Sequence, residues 1–389
     1  MKSQGEASYV NHSLHSSLAR IIKFHREFDR LVSLAPRKRS RLRARRGILC
    51  FVLSTLVINA ATLLLLDELQ PGIRDPEYGR RVRRLQARIA ENPGRPTVLF
   101  VGSSRTAVGI CPAAWEAVRP RDSKFPDPMF FNMSLLGSGP IMELMVLRRL
   151  FADGLRPDLV LIEYWPPFLH NEGTWAEPKR VGPERLYPVD REVVQDYFPE
   201  FAEIEREMWR YQSHPVFANR ERLLVQLLPD WMRGDRRVDG GWKTLDPWGW
   251  LPGPDLAPGP SERRSEALAA CCDIYKPLFA SYRISPDADR ALRESVKVVR
   301  DYGAAVGFLY LPESSEFRGL YCSTVRDAAN EHLAELGRDL GVPAINTRTW
   351  MADELLVDGF HLSRTGAAEF TRKLGPAIVS IFPESGAHR

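Results

Sequence analysis

Hydrophobic and polar positions divide the chain into three regimes. In residues 1–36 only Leu18, Ile21, Ile22, Phe28, Leu31 and Val32 recur at roughly helical spacing, with basic residues between them. That pattern leaves two readings open, a helix lying on a membrane surface or a poorly ordered extension. Residues 47–66 then run for twenty positions without a charge, the length of one bilayer crossing. Beyond them Tyr78, Val82, Leu85 and Ile89, set among Arg and Glu, predict an amphipathic stalk helix over 75–92, stopped by Asn92-Pro93-Gly94.

From Pro96 onward short Val/Leu/Ile/Phe runs alternate with helical stretches, the signature of a parallel sheet covered on both faces. Strands are expected over 97–101, 129–133, 159–163, 306–311 and 344–346. Helices are expected over 140–153, over 287–302 with Ser285 as N-cap and Pro286 at the first position, over 324–340 ending at Gly341, and over 364–381 capped by Ser363. The class is α/β, a three-layer α/β/α sandwich. Residues 172–284 interrupt the alternation with Pro, Gly, Arg and Trp, and hold helical patterns only near 190–211 and 221–232. Within this insertion Trp248-Gly249-Trp250, with Trp242 nearby, suits either a platform for sugar rings or packing onto the core or a membrane partner.

Charge refines the picture. Residues 37–46 carry seven positive charges directly before the apolar run, which marks the cytoplasmic side by the positive-inside rule. A cleaved signal peptide fits less well, because the charges lie nearly forty residues in and Asp67-Glu68-Leu69-Gln70-Pro71 follows where small residues should. The organisation expected is therefore a cytoplasmic extension (1–46), a transmembrane helix (47–66), a stalk (67–95) and an extracytoplasmic, periplasmic-side domain (96–389). Of the net charge of +5, residues 37–46 supply +7 and residues 1–36 supply +2, leaving −4 for the remainder. The basic balance thus belongs to the juxtamembrane block and is no sign of nucleic-acid binding, so no nucleic-acid partner is expected and the non-substrate partner is the bilayer. The five cysteines match no metal spacing, and Cys111, Cys271, Cys272 and Cys322 are expected as buried thiols with at most one or two bridges. There is no dinucleotide fingerprint, phosphate loop or His-Glu-x-x-His, so no cofactor or metal is implied.

Two segments carry chemistry. Gly102-Ser103-Ser104 follows the first strand, and Asp358-Gly359-Phe360-His361 precedes the last helix. A serine at a strand-to-helix turn exposes its hydroxyl and nearby N–H groups, and it becomes a nucleophile only when a base takes its proton. Ser104 is the expected nucleophile, His361 the general base and Asp358 the group that orients the ring; a register shift of one residue would exchange Ser103 and Ser104. Alone, Gly-Ser-Ser reads equally as a capped helix start, and Asp-x-x-His occurs by chance.

With Asn132-Met133-Ser134-Leu135-Leu136-Gly137-Ser138-Gly139 after the second strand, these segments occur in the order and spacing of the SGNH/GDSL hydrolase superfamily, which the chain resembles over most of 96–171 and 285–382. It looks most like membrane-anchored extracytoplasmic members that O-acylate cell-surface polysaccharides or teichoic acids. The resemblance implies a flavodoxin-like sandwich with its site at the carboxyl ends of the strands. Oxyanion donors are then expected from the N–H groups of Ser104 and Gly137. The family's Gly-x-Asn-Asp segment is missing after the third strand, where Asn171 is the nearest amide. Arg105 either meets substrate or pairs across the sheet edge; Asn132 either touches substrate or ties its loop; Glu163 is a site acid or an ion-pair partner. His170 is expected as an insertion contact. Three functions follow: an acyltransferase moving an acyl, most plausibly acetyl, group to a glycan with a membrane-bound O-acyltransferase as donor partner; an esterase for carbohydrate or lipid esters; or a noncatalytic module.

Overall fold

Thr97–Val101, Met129–Asn132, Leu159–Glu163, Ala305–Tyr310 and Ala344–Asn346 are strands β1 to β5 of one sheet in the computed structural model, which describes residues 37–119, 127–232, 244–254 and 261–382. Every neighbour pair is parallel, in the order β2-β1-β3-β4-β5. This is the flavodoxin-like order, with its switch point between β1 and β3. All residues of β1, β2 and β3 are buried, which is why these segments read as continuous apolar runs rather than alternating ones.

The sheet separates two apolar layers. On one face Leu99, Val101, Phe131, Val160, Ile162 and Phe308 pack against the helices Pro140–Ala152, Pro286–Asp301 and Ser323–Leu340. On the other, Val98, Phe100, Phe130, Leu161 and Leu309 pack against Pro112–Glu116 and the last helix, Arg364–Ile381. Two caps close as read, Ser363 Oγ accepting the Gly366 N–H and Gly341 ending its helix at φ +59°, while Ser285 stands at its N-cap position without a side-chain capping bond.

Three elements differ from expectation. The helix Pro76–Glu91 is no free stalk, because Tyr78, Val82 and Leu85 belong to the main core and Glu77 and Arg81 are buried with them. A long helical pattern over 190–211 becomes two helices, Arg191–Tyr197 and Phe201–Ser213, separated where Pro199 denies the backbone a donor. Within the insertion, Glu262–Ala280 is an unforeseen helix of 19 residues, started by Ser261 and carrying Cys271, Tyr275, Leu278 and Phe279 into the core. Its pattern is weakly amphipathic and contains Pro277, which hid it.

Trp248 and Trp250 pack rather than form a platform. Trp250 is buried and donates its indole N–H to the Val108 carbonyl at 2.6 Å, while the Trp248 carbonyl accepts the Asn132 N–H at 2.9 Å. Gly249 lies at φ +81°, and a Cβ there would strike the Asn132 carbonyl. Trp242 and the pattern over residues 18–32 fall outside the described residues.

The chain divides into two units, Met1–Ala61 and Thr62–Arg389; the second holds the sheet. Among the described residues one helical stretch, Arg41–Leu69, is long and apolar enough to cross a membrane by length and composition. The cysteines are free thiols, and burial pushes Cys111 up to about 11, leaving it unreactive.

Candidate active site

At the carboxyl end of β1 the chain turns through Gly102 and Ser103 into the helix Ser104–Gly109. The turn is cramped: a Cβ on Gly102 would collide with Thr106 Oγ1 and lie 2.7 Å from Glu163 Cβ, so only glycine fits. Ser103 is buried and its Oγ accepts the Arg105 N–H at 3.2 Å, which spends it as the N-cap. Ser104, the next residue, donates its hydroxyl to His361 Nε2 at 2.8 Å. The geometry thus selects Ser104 over Ser103.

His361 in turn donates Nδ1–H to Asp358 Oδ2 at 2.7 Å. The other carboxylate oxygen, Oδ1, accepts the backbone N–H groups of Phe360 (3.2 Å) and His361 (2.9 Å), so one aspartate fixes both the turn and the ring. Burial alone would raise the Asp358 pKa, but the His361 ring and these N–H groups hold it below the ordinary aspartate range. Both side chains keep 23% exposure, so the pair reaches solvent. Gly359 sits at φ +100° and its carbonyl accepts the Ser314 N–H at 2.7 Å. Phe360 anchors the same turn among Trp165, Tyr275 and Phe317, at ring distances of 5.0, 5.3 and 5.1 Å.

The loop after β2 lies beside the nucleophile turn, joined by the Leu135 N–H donating to the Gly102 carbonyl at 3.0 Å. On either side of Gly137 the N–H groups are occupied: Leu136 donates to Glu77 Oε1 at 2.6 Å and Ser138 to the Leu135 carbonyl at 3.2 Å. Among the described residues no acceptor takes the Gly137 N–H, and a Cβ at this φ +73° position would face open space. The Ser104 N–H, at the first helical position, has no intrahelical acceptor either. Both are donors of the type that stabilises a developing oxyanion.

Three expected site residues have other work. Arg105 is 1% exposed and cannot meet substrate. Its guanidinium lies 3.4 Å from Glu163 and 3.7 Å from Glu313, donates to the carbonyls of Leu311 and Pro312, and sits 4.7 Å from the Trp165 ring centre. Asn132 is fully buried; its Nδ2 donates to the carbonyls of Thr106 and Ile110, both at 2.8 Å, tying β2 to the helix after the nucleophile. Asn171 accepts the Glu177 N–H at 2.5 Å, and among the described residues no hydrogen bond joins it to Ser104 or His361. Glu177 then accepts the N–H groups of Gly139, Ile141 and Met142, so Asn171 supports the start of the helix Pro140–Ala152. His170 bonds the Arg283 backbone, an insertion contact.

Glu163 resolves as a buried partner, accepting the Ser103 N–H at 2.6 Å and the Thr106 hydroxyl at 2.7 Å. Across Arg105, Glu313 accepts from Trp165 Nε1 (3.0 Å), Tyr321 (2.9 Å) and Arg348 Nε (2.9 Å). Two acids and two arginines thus form a buried row beneath the site. Since Ser314 holds the Gly359 carbonyl, the row links the nucleophile turn to the histidine turn. Sequence reading missed Glu313 and Arg348, which stand in no motif; an acid directly before a Ser-Ser helix start just after β4 was the only available signal. Among the described residues no cluster of His, Cys, Asp and Glu is suited to a metal ion.

No family model matches the chain, and no curated protein matches it. Solved structures with a similar chain trace include a lipase/acylhydrolase from Enterococcus faecalis, 13% identical over 75% of this chain and 100% of that one, with a TM-score of 0.32. An acetylxylan esterase from Geobacillus stearothermophilus, as a catalytic mutant, is 11% identical over 76% of this chain and 97% of that one, with a TM-score of 0.34. These are distant likenesses, and the fold class stands on the strand order and connectivity.

Proposed function

We propose that this chain is a membrane-anchored, extracytoplasmic serine acyltransferase of the SGNH type, which takes an acyl group, most simply acetyl, onto Ser104 and passes it to a hydroxyl of a cell-surface polysaccharide. A multispanning membrane O-acyltransferase is the donor partner this role calls for. The observation that carries the reading is the continuous Ser104–His361–Asp358 relay, with bonds of 2.8 and 2.7 Å.

The steps balance on this chain's own groups. His361 Nε2 takes the Ser104 proton as Oγ attacks the acyl carbonyl, and the resulting oxyanion is met by the N–H groups of Ser104 and Gly137, each worth about 3 kcal/mol in the transition state. His361 returns the proton to the departing oxygen, leaving acyl-Ser104. An acceptor hydroxyl then gives its proton to His361 and attacks the acyl carbon, and His361 passes that proton to Ser104 Oγ as the acyl bond breaks, restoring the free serine. Asp358, held ionised, steadies the imidazolium in both halves. The apolar span and the Gly102-Ser103-Ser104 form support transfer over hydrolysis. The segment after β3 supplies no amide to the serine, because Asn171 is bound at Glu177 and the Trp165 indole N–H at Glu313.

The full chain in detergent should release p-nitrophenol from its acetate ester, and Ser104→Ala should lose that turnover. With oligosaccharide acceptors, mass analysis should find acylated glycan; free acetate alone across several acceptors would replace transfer with hydrolysis, and absent turnover would leave a noncatalytic module.

A further inference from the structure

We infer that the insertion between Pro215 and Trp231 is a bilayer-docking face, set at the same end of the sheet as the triad. The inference rests on the anchored reading above.

Large exposed apolar side chains elsewhere in the sheet-bearing unit, such as Val118, Ile274 and Tyr302, stand singly and need no explanation. Here they concentrate: Phe217 is 70% exposed, Leu227 75% and Trp231 76%, with Leu228 beside them at 39%. They project from three short consecutive elements, Pro215–Ala218, Arg220–Leu227 and Pro229–Trp231, which pack on one another. Arg220–Leu227 packs in turn on the turn Pro71–Arg74. That turn follows the helical stretch Arg41–Leu69 with only Gln70 between them, and Leu64 and Leu69 are themselves exposed. A chain leaving a bilayer at Leu66 therefore has this apolar face beside it within a few residues.

Its chemistry fits a lipid surface. Trp, Phe and Leu with arginine are the side chains that settle at the headgroup boundary, and the Arg220 guanidinium lies 4.4 Å from the Phe217 ring centre. Residues 215–231 hold two arginines, one glutamate and one aspartate. The face is thus neutral, so insertion of apolar side chains, rather than attraction to anionic headgroups, holds it to lipid.

The docking orients the site. Arg74 is fixed by its bond to the Leu186 carbonyl at 2.7 Å, and three residues later Glu77 accepts the Leu136 N–H next to Gly137. The carboxyl end of the sheet is thereby brought to the membrane surface, where the triad meets a donor or acceptor held at the bilayer. Val118 lies at the other end, two residues past Glu116, which binds Arg95 just before β1 at 2.6 Å.

The full chain, reconstituted in phosphatidylcholine vesicles, would carry benzoylphenylalanine in place of Leu227, Trp231, Val118 or, within the apolar helix, Val57. After irradiation, lipid adducts at Leu227 and Trp231 should exceed those at Val118 by roughly tenfold, the ratio that burial of one large apolar side chain supports. Adducts to a second copy of the chain, or none at these two positions while Val57 labels lipid, would overturn the docking face and leave the anchor intact. No lipid adduct at Val57 would overturn the anchor and the docking face together.

Discussion

At the scale of single residues, two carboxyl groups answer to pH in opposite directions. Asp358 is held below the ordinary aspartate range in the folded chain. Its hydrogen bonds to the His361 ring and to the Phe360 and His361 N–H groups therefore add stability above about pH 4, where the unfolded chain is also ionised, and lose it as pH falls through the lowered folded value. The Tm gap between the native chain and Asp358→Asn should accordingly be wide at neutral pH and close below about pH 4, while turnover at neutral pH falls about 10^4-fold. Glu143 behaves inversely. Burial first, then the neighbouring Glu163 and Glu177, push its pKa well up, and its Oε2 has no partner. The folded chain keeps this proton while the unfolded chain gives it up above about pH 4, so Glu143 costs stability as pH rises. Glu143→Gln should gain Tm relative to the native chain as pH rises above about 5, read in parallel thermal scans; a difference that stays constant with pH would contradict a raised pKa for Glu143.

At the scale of elements, Glu163 places the nucleophile turn by holding the Ser103 N–H and the Thr106 hydroxyl. Glu163→Gln retains the shape but weakens both bonds, so kcat should fall by about 10- to 100-fold with KM little changed, the pattern of a serine misplaced rather than a substrate lost. A change confined to KM would assign Glu163 to binding instead. The strands, the last helix and both motif segments were legible because each is announced locally, by an apolar run, a cap or a short spacing. Arg105, by contrast, reads along the chain as a cation beside a serine; its burial between Glu163 and Glu313 arises only when β1, β3 and β4 come side by side. Asn132 and Asn171 read as amides near a site, yet their partners at Ile110 and Glu177 are set by how loops stack. The helix Glu262–Ala280 lacks a clean apolar stripe because its core contacts begin only at Cys271.

At the scale of the whole molecule, the helix after the apolar stretch is structural rather than a spacer. Tyr78, Val82 and Leu85 fill one face of the core, Glu77 holds the Gly137 loop, and Arg81 donates to the Gly249 carbonyl at 3.1 Å. A chain lacking residues 76–91 should lose its cooperative thermal transition, since it forfeits three large core side chains and leaves Arg185 without Glu77. A deletion that kept the native transition would restore the stalk reading.

The central claim is that Ser104 is activated by His361, and covalent trapping tests it most directly. Incubated with a serine-directed fluorophosphonate, the full chain should carry one adduct, located by peptide mass spectrometry on Ser104, and His361→Ala should slow its formation by several orders of magnitude. An adduct on Ser103, or labelling that persists unchanged in Ser104→Ala, would contradict it.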